Sequence, residues 1–119
     1  MKLPGLDHPI TITPMQGRVV VRFAGAVIAD TRHVLELKES TYPAVLYIPR
    51  GDAVMTHYAR TQHSTHCPYK GDASYFDLGA AGKAAPNAVW SYEMPYPAMA
   101  EIKDHLAFYP QHVSIERSA

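Results

Sequence analysis

The sequence holds a single cysteine, Cys67, in 119 residues. One thiol excludes an internal disulfide, and with it the four-thiolate zinc centre common in small β-domains. A reducing compartment is the expectation. An excess of either charge is lacking too: 11 Lys and Arg stand against 11 Asp and Glu. Tracking of phosphates needs surplus cations, so no nucleic-acid partner is expected. No stretch approaches the roughly 18 apolar residues of a membrane span. The start, Met1 to Pro9, lacks the apolar core of a secretory signal. The expected location is therefore cytoplasmic, with no membrane association. A Gly-rich phosphate loop and a G-x-S-x-G elbow are also missing.

What is present fits one globular β-domain. The apolar share is 47% and the charged share 18%, and the length is close to the commonest domain size. Residues 1–17, rich in Pro and Gly, read as an N-terminal arm, leaving 18–119 as a single domain. From Arg18 onward, short apolar runs alternate with turn residues, an all-β signature. Strands are expected at Arg18–Phe23, Ala26–Ala29, His33–Lys38, Val45–Ile48, Ala73–Leu78, Ala88–Tyr92, Leu106–Tyr109 and Val113–Glu116. A loop is expected over Gly79–Pro86. Asp52 is placed to cap a short helix over Ala53–Tyr58, and Pro97 to open a helical turn through Met99–Ile102.

Side chains along a strand alternate between faces. In five of these segments one parity is oily: Leu46 and Ile48; Phe76 and Leu78; Val89; Leu106 and Phe108; Val113 and Ile115. In four of them the other parity carries rings: Tyr47; Tyr75; Trp90 and Tyr92; Tyr109. The oily face is the expected core. The ring face suits a surface that is partly dry and partly wet, which means either a ligand pocket or a second core layer.

The densest chemistry lies in Thr65-His66-Cys67-Pro68-Tyr69-Lys70-Gly71. No catalytic residue is assigned. Cys67 as a nucleophile would need a histidine or a helix start to lower its pKa, and in an extended stretch His66 points to the opposite face. Lys70 could form a Schiff base if buried, or bind an anion. No metal site is assigned either. His57, His63, His66 and Cys67 offer acceptable ligand types but no zinc-finger spacing, and no cofactor is expected. Arg50 could hold a carboxylate in a bidentate fork, or pair with Asp52 or Asp30. Asp72 and Asp77 are the nearest carboxylates. Five positions apart on a strand, they face opposite ways and make no two-metal site.

Tyr47-Ile48-Pro49-Arg50-Gly51-Asp52, the run Thr65 to Tyr75, Ala88-Val89-Trp90-Ser91-Tyr92 and Ala107-Phe108-Tyr109 occur in this order. In them the chain resembles the domain-of-unknown-function family 427 over roughly residues 17–116. That family is sometimes labelled nucleotidyltransferase-like, a label the spacing of Asp72 and Asp77 does not support. The resemblance implies a β-tent fold, two antiparallel sheets joined along one edge and splayed at a steep angle. Similar folds include the thalidomide-binding domain of cereblon, which holds cyclic imides in a cage of three tryptophans and whose relatives carry zinc on paired Cys-x-x-C motifs. Here only Trp90 and Cys67 are present, so neither cage nor zinc carries over. What carries over is a cleft between the sheets. The family motifs place Tyr47, Arg50, Cys67, Tyr69, Lys70, Trp90, Tyr92 and Tyr109 as residues to line it. The expected function is a small-molecule-binding module. The alternatives are an enzyme using Cys67 or Lys70, and an interaction domain forming a homodimer through exposed sheet edges.

Overall fold

A computed structural model describes all residues from Met1 to Ala119. In chain order the strands are β1 (Ile10–Pro14), β2 (Arg18–Phe23), β3 (Ala26–Thr31), β4 (Leu35–Glu39), β5 (Val45–Tyr47), β6 (Tyr58–Cys67), β7 (Gly71–Ala80), β8 (Lys83–Ser91), β9 (Ala107–Phe108) and β10 (Ser114–Ser118). Short 3-10 turns cover Arg50–Asp52, Met55–His57 and Pro97–Ile102. The class is all-β, as expected. Hydrogen bonding divides it into three antiparallel ladders, β1-β4-β5, β10-β2-β3 and β6-β7-β8-β9, where the sequence reading has two sheets. The first and third ladders meet at one bridge, Ile48–Leu106, whose amides exchange hydrogen bonds of 2.8 Å in both directions. Pro49 follows at once, and without an N–H it does not extend the pairing. No helix is long and apolar enough to cross a membrane.

Four local expectations change. The stretch read as an arm supplies β1, because Ile10-Thr11-Ile12-Thr13 alternates β-branched residues and turns both isoleucines onto buried neighbours. No strand was expected at Tyr58–Cys67. β6 is an edge strand with mostly exposed polar residues on both faces, so it lacks the oily parity that marks a strand. The expected helix over Ala53–Tyr58 is replaced by the 3-10 turn Met55–His57, and the Asp52 carboxylate accepts a 2.7 Å bond from the Thr31 hydroxyl instead of capping a helix.

The expected loop at Gly79–Pro86 is a tight hairpin. Ala81 and Gly82 both have positive φ (52° and 74°), the combination of a two-residue turn whose twist matches the strands. Pro86 falls at a break in the β7–β8 register, where a strand tolerates proline. The Asp77 carboxylate secures that break by accepting a 2.7 Å bond from the Asn87 amide.

Strand alternation sorts the interior into two clusters. The first joins Val19, Val21, Phe23, Ile28, Leu46, Ile48, Phe76, Leu78, Val89, Leu106 and Phe108, with Val113 and Ile115 packed on it. The second joins Leu37, Tyr47, Ala73, Tyr75, Tyr92, Met99, Ile102 and Ala107, with Trp90, Tyr109 and Cys67 packed on it. The oily parity is thus the first core. The ring parity is a second layer on the opposite face of the same strands.

Candidate functional site

The second layer does not close. A cavity of about 360 Å³ lies within it, inside the range of small-molecule sites. Leu37 and Glu39 come from β4, Val45 and Tyr47 from β5, and Tyr42 and Pro43 from the turn between them. Tyr75 comes from β7, Trp90 and Tyr92 from the end of β8, Tyr109 from just after β9, and Lys70 from the β6–β7 turn.

Each wall group is positioned by local structure. Gly71 closes the β6–β7 turn at φ 108°, a conformation that favours glycine. The turn is pinned by Lys2 N–H to the Pro68 carbonyl (2.7 Å) and Tyr96 N–H to the Lys70 carbonyl (3.0 Å). Lys70 is thereby turned inward, and its side chain is only 9% exposed. Its ammonium donates to Glu39 Oε1 at 2.5 Å and approaches Cys67 Sγ at 3.6 Å. It also sits 5.9 Å from the Tyr92 ring centre. The other Glu39 oxygen lies 2.8 Å from His8 Nε2. Burial pushes the Glu39 carboxyl up, but Lys70 and His8 together hold it below the usual carboxylate range.

The rings form a second network. Trp90 Nε1–H donates to the Tyr47 hydroxyl at 3.2 Å, and Trp90 packs on Tyr109 with ring centres 4.6 Å apart. The Tyr75 hydroxyl meets Thr65 Oγ1 at 2.9 Å and the Tyr109 hydroxyl at 3.4 Å. The Tyr92 hydroxyl has no partner in the protein, yet no fully buried side-chain oxygen is left unsatisfied, so this hydroxyl reaches accessible space. Burial raises the Tyr47 and Tyr92 phenols far above their ordinary value. Burial, then the bond to Tyr75, pushes Tyr109 up to about 12. All three stay protonated at neutral pH and present O–H donors.

Of the eight residues expected to line a cleft, Tyr47, Lys70, Trp90, Tyr92 and Tyr109 line this cavity, and Cys67 stands behind Lys70. Tyr69 is not in its wall. It stacks on His8 with ring centres 4.1 Å apart, bracing the residue that holds Glu39. Arg50 lies on the opposite face of β8. Its guanidinium donates to Glu93 (2.9 Å) and Ser91 Oγ (2.9 Å), its Nε donates to the Asp104 carbonyl (3.1 Å), and it lies over the Phe76 ring at 5.4 Å. Arg60 takes the same carboxylate through two bonds of 2.8 and 2.5 Å. The histidines disperse: His57 to the Gly79 carbonyl, His63 against the Tyr75 ring, His66 to Asp72. Sequence reasoning missed Glu39, Leu37 and Tyr42. Glu39 sits at the edge of an expected strand, where a carboxylate ordinarily reads as solvated.

The Arg60–Glu93–Arg50 clamp carries a pH prediction. Hydrogen bonding to Arg60 first, with Arg50 helping, lowers the Glu93 carboxyl to about 2. A depressed folded-state pKa gives stability that is complete above the unfolded value and fades as pH falls toward the folded one. Glu93→Gln is therefore expected to lose about 1–2 kcal/mol near neutral pH, discounted for its partial exposure. The difference from wild type should shrink steadily below about pH 4. Urea titrations at pH 7 and pH 3 check this, and an equal loss at both would remove the ionic explanation.

The family model described as Domain of unknown function (DUF427) matches residues 11–119, and the chain belongs to that family. No curated protein matches the chain in sequence.

Proposed function

We propose that this member of the family is a small-molecule-binding module whose ligand occupies the ring-lined cavity. The unpartnered Tyr92 hydroxyl facing accessible space carries the reading, because a polar group left free in a largely apolar wall is a group awaiting an acceptor. Tyr47 adds a second donor: its oxygen accepts from Trp90 and its own proton is uncommitted. Trp90 and Tyr109 supply flat faces. Lys70 is already neutralised by Glu39, so the site favours a neutral carbonyl-type acceptor over a full anion. The ligand class is a planar or cyclic molecule with at least one such oxygen.

Trp90 is the only tryptophan and lines the cavity, so its fluorescence responds to occupancy there, with Tyr92→Phe assigning the signal to this wall. A panel of cyclic carbonyl compounds is screened by Trp90 fluorescence and thermal shift. Binders are expected to lose about tenfold in affinity on Tyr92→Phe, the worth of one hydrogen bond. The melting temperature should stay unchanged, because that hydroxyl has no partner to lose. A panel with no binder, or binders indifferent to Tyr92→Phe, would remove the proposal.

A further inference from the structure

A second cavity, of about 450 Å³, lies on the other side of β5. Val21, Leu46, Ile48, Phe108 and Ile115 line it, so it reaches into the first core between β2 and β10 on one side and β5 and β9 on the other. Its walls are mostly aliphatic. Arg117 is the one charged residue among them and is exposed to solvent. It has no carboxylate partner, and the neighbouring Glu116 is held by Arg22 at 2.6 Å. Around this cavity the chain therefore presents a mainly apolar wall and one guanidinium without a carboxylate partner.

We propose that this cavity binds an aliphatic monocarboxylate, with its hydrocarbon chain among Val21, Ile48 and Ile115 and its carboxylate on Arg117. The chain class follows from the walls, since burying methylenes is favourable and the buried part of the wall, Val21, Leu46, Ile48 and Phe108, is wholly apolar. The head-group class follows from the cation. A planar guanidinium matches a carboxylate through two parallel hydrogen bonds, and a single exposed arginine balances one negative charge rather than the two of a phosphate ester. The two cavities share Tyr42, Pro43, Val45 and Trp90 as a common wall, but this ligand needs neither Lys70 nor the Tyr92 hydroxyl, which line only the ring-lined one.

The test is a titration of the full chain with octanoate, hexanoate and octanol, followed by methyl and backbone NMR. Octanoate is expected to shift Val21, Ile48 and Ile115. Hexanoate should bind about fifteenfold more weakly, from the loss of two buried methylenes. Arg117→Gln, a surface change that leaves the core intact, should weaken octanoate about tenfold and leave octanol unaffected. Added salt should weaken octanoate as well. Tyr92→Phe should change nothing here, which separates this site from the ring-lined one. No shift at Val21 or Ile115 at millimolar octanoate would overturn the proposal. So would shifts confined to Leu37 and Tyr92, or equal octanoate affinity in Arg117→Gln and wild type.

Discussion

Lys70→Met is expected to lower folding stability by about 2–4 kcal/mol at neutral pH, a large part of what a domain of this size has. Methionine keeps the stem and its packing against the second cluster but removes the ammonium. Glu39, whose side chain is only 17% exposed, would then keep His8 as its only ionic neighbour. An uncompensated buried carboxylate costs more than the intact pair contributes. In wild type the Glu39 pKa is depressed, so its contribution is present above the ordinary carboxylate range and is lost below it. In the variant only His8 still opposes burial, so that pKa rises relative to wild type. The gap between the two proteins should therefore narrow as pH falls and Glu39 takes up a proton. Lys70→Met/Glu39→Gln should recover more than half of the loss, since the orphaned charge is gone. Guanidinium titrations of wild type and the two variants at pH 7 and pH 4 measure it. A single-variant loss below about 0.5 kcal/mol would mean that the pair is solvated, as ordinary surface pairs are.

Phe76→Ala is expected to cost about 3–5 kcal/mol and to lower the melting temperature by about 10–20 °C. Phe76 is 4% exposed in the first core and meets Tyr58 edge-on, with ring centres 6.4 Å apart. The guanidinium carbons of Arg50 and Arg60 lie 5.4 and 5.1 Å from its ring centre. Removing the ring opens a void and takes away the surface on which the Glu93 clamp rests. Phe76→Leu, which keeps most of the volume, should lose about 1–2 kcal/mol. Circular-dichroism melts with matched denaturant curves decide it. A loss under about 1 kcal/mol for alanine would show that this site collapses freely.

Much of this architecture was legible because strand alternation is a hard geometric rule. Leu46 against Tyr47, Phe76 against Tyr75 and Val89 against Trp90 fall into different clusters, as parity requires. What stayed illegible had no such periodic signal. β6 is mostly polar because its strand lies at an edge, and nothing in Tyr58–Cys67 distinguishes that from a loop. Pro86 reads as a strand breaker, and only the Asp77–Asn87 bond shows that the strand bends around it and continues. Glu39 and His8 join Lys70 through pairing of β1 with β4, and His8 and Glu39 are 31 positions apart. Arg50, adjacent to the motif that supplies Tyr47, is carried to the other face by the 3-10 turn that follows Pro49.

The alternation along β7 and β8 also governs how such a chain can diverge. Val89 and Trp90 are neighbours in sequence, but a substitution at one is judged by the oily interior and a substitution at the other by the ring-lined chamber. Point changes can thus reshape the chamber while Phe76, Leu78 and Val89 go on holding the sheets together. A one-residue insertion within either strand swaps the two sets of side chains beyond it unless a bulge absorbs it, as the register break opposite Asp77 absorbs unmatched residues of β8. Replacement on one face is therefore an easier route of drift for this sequence than change of length.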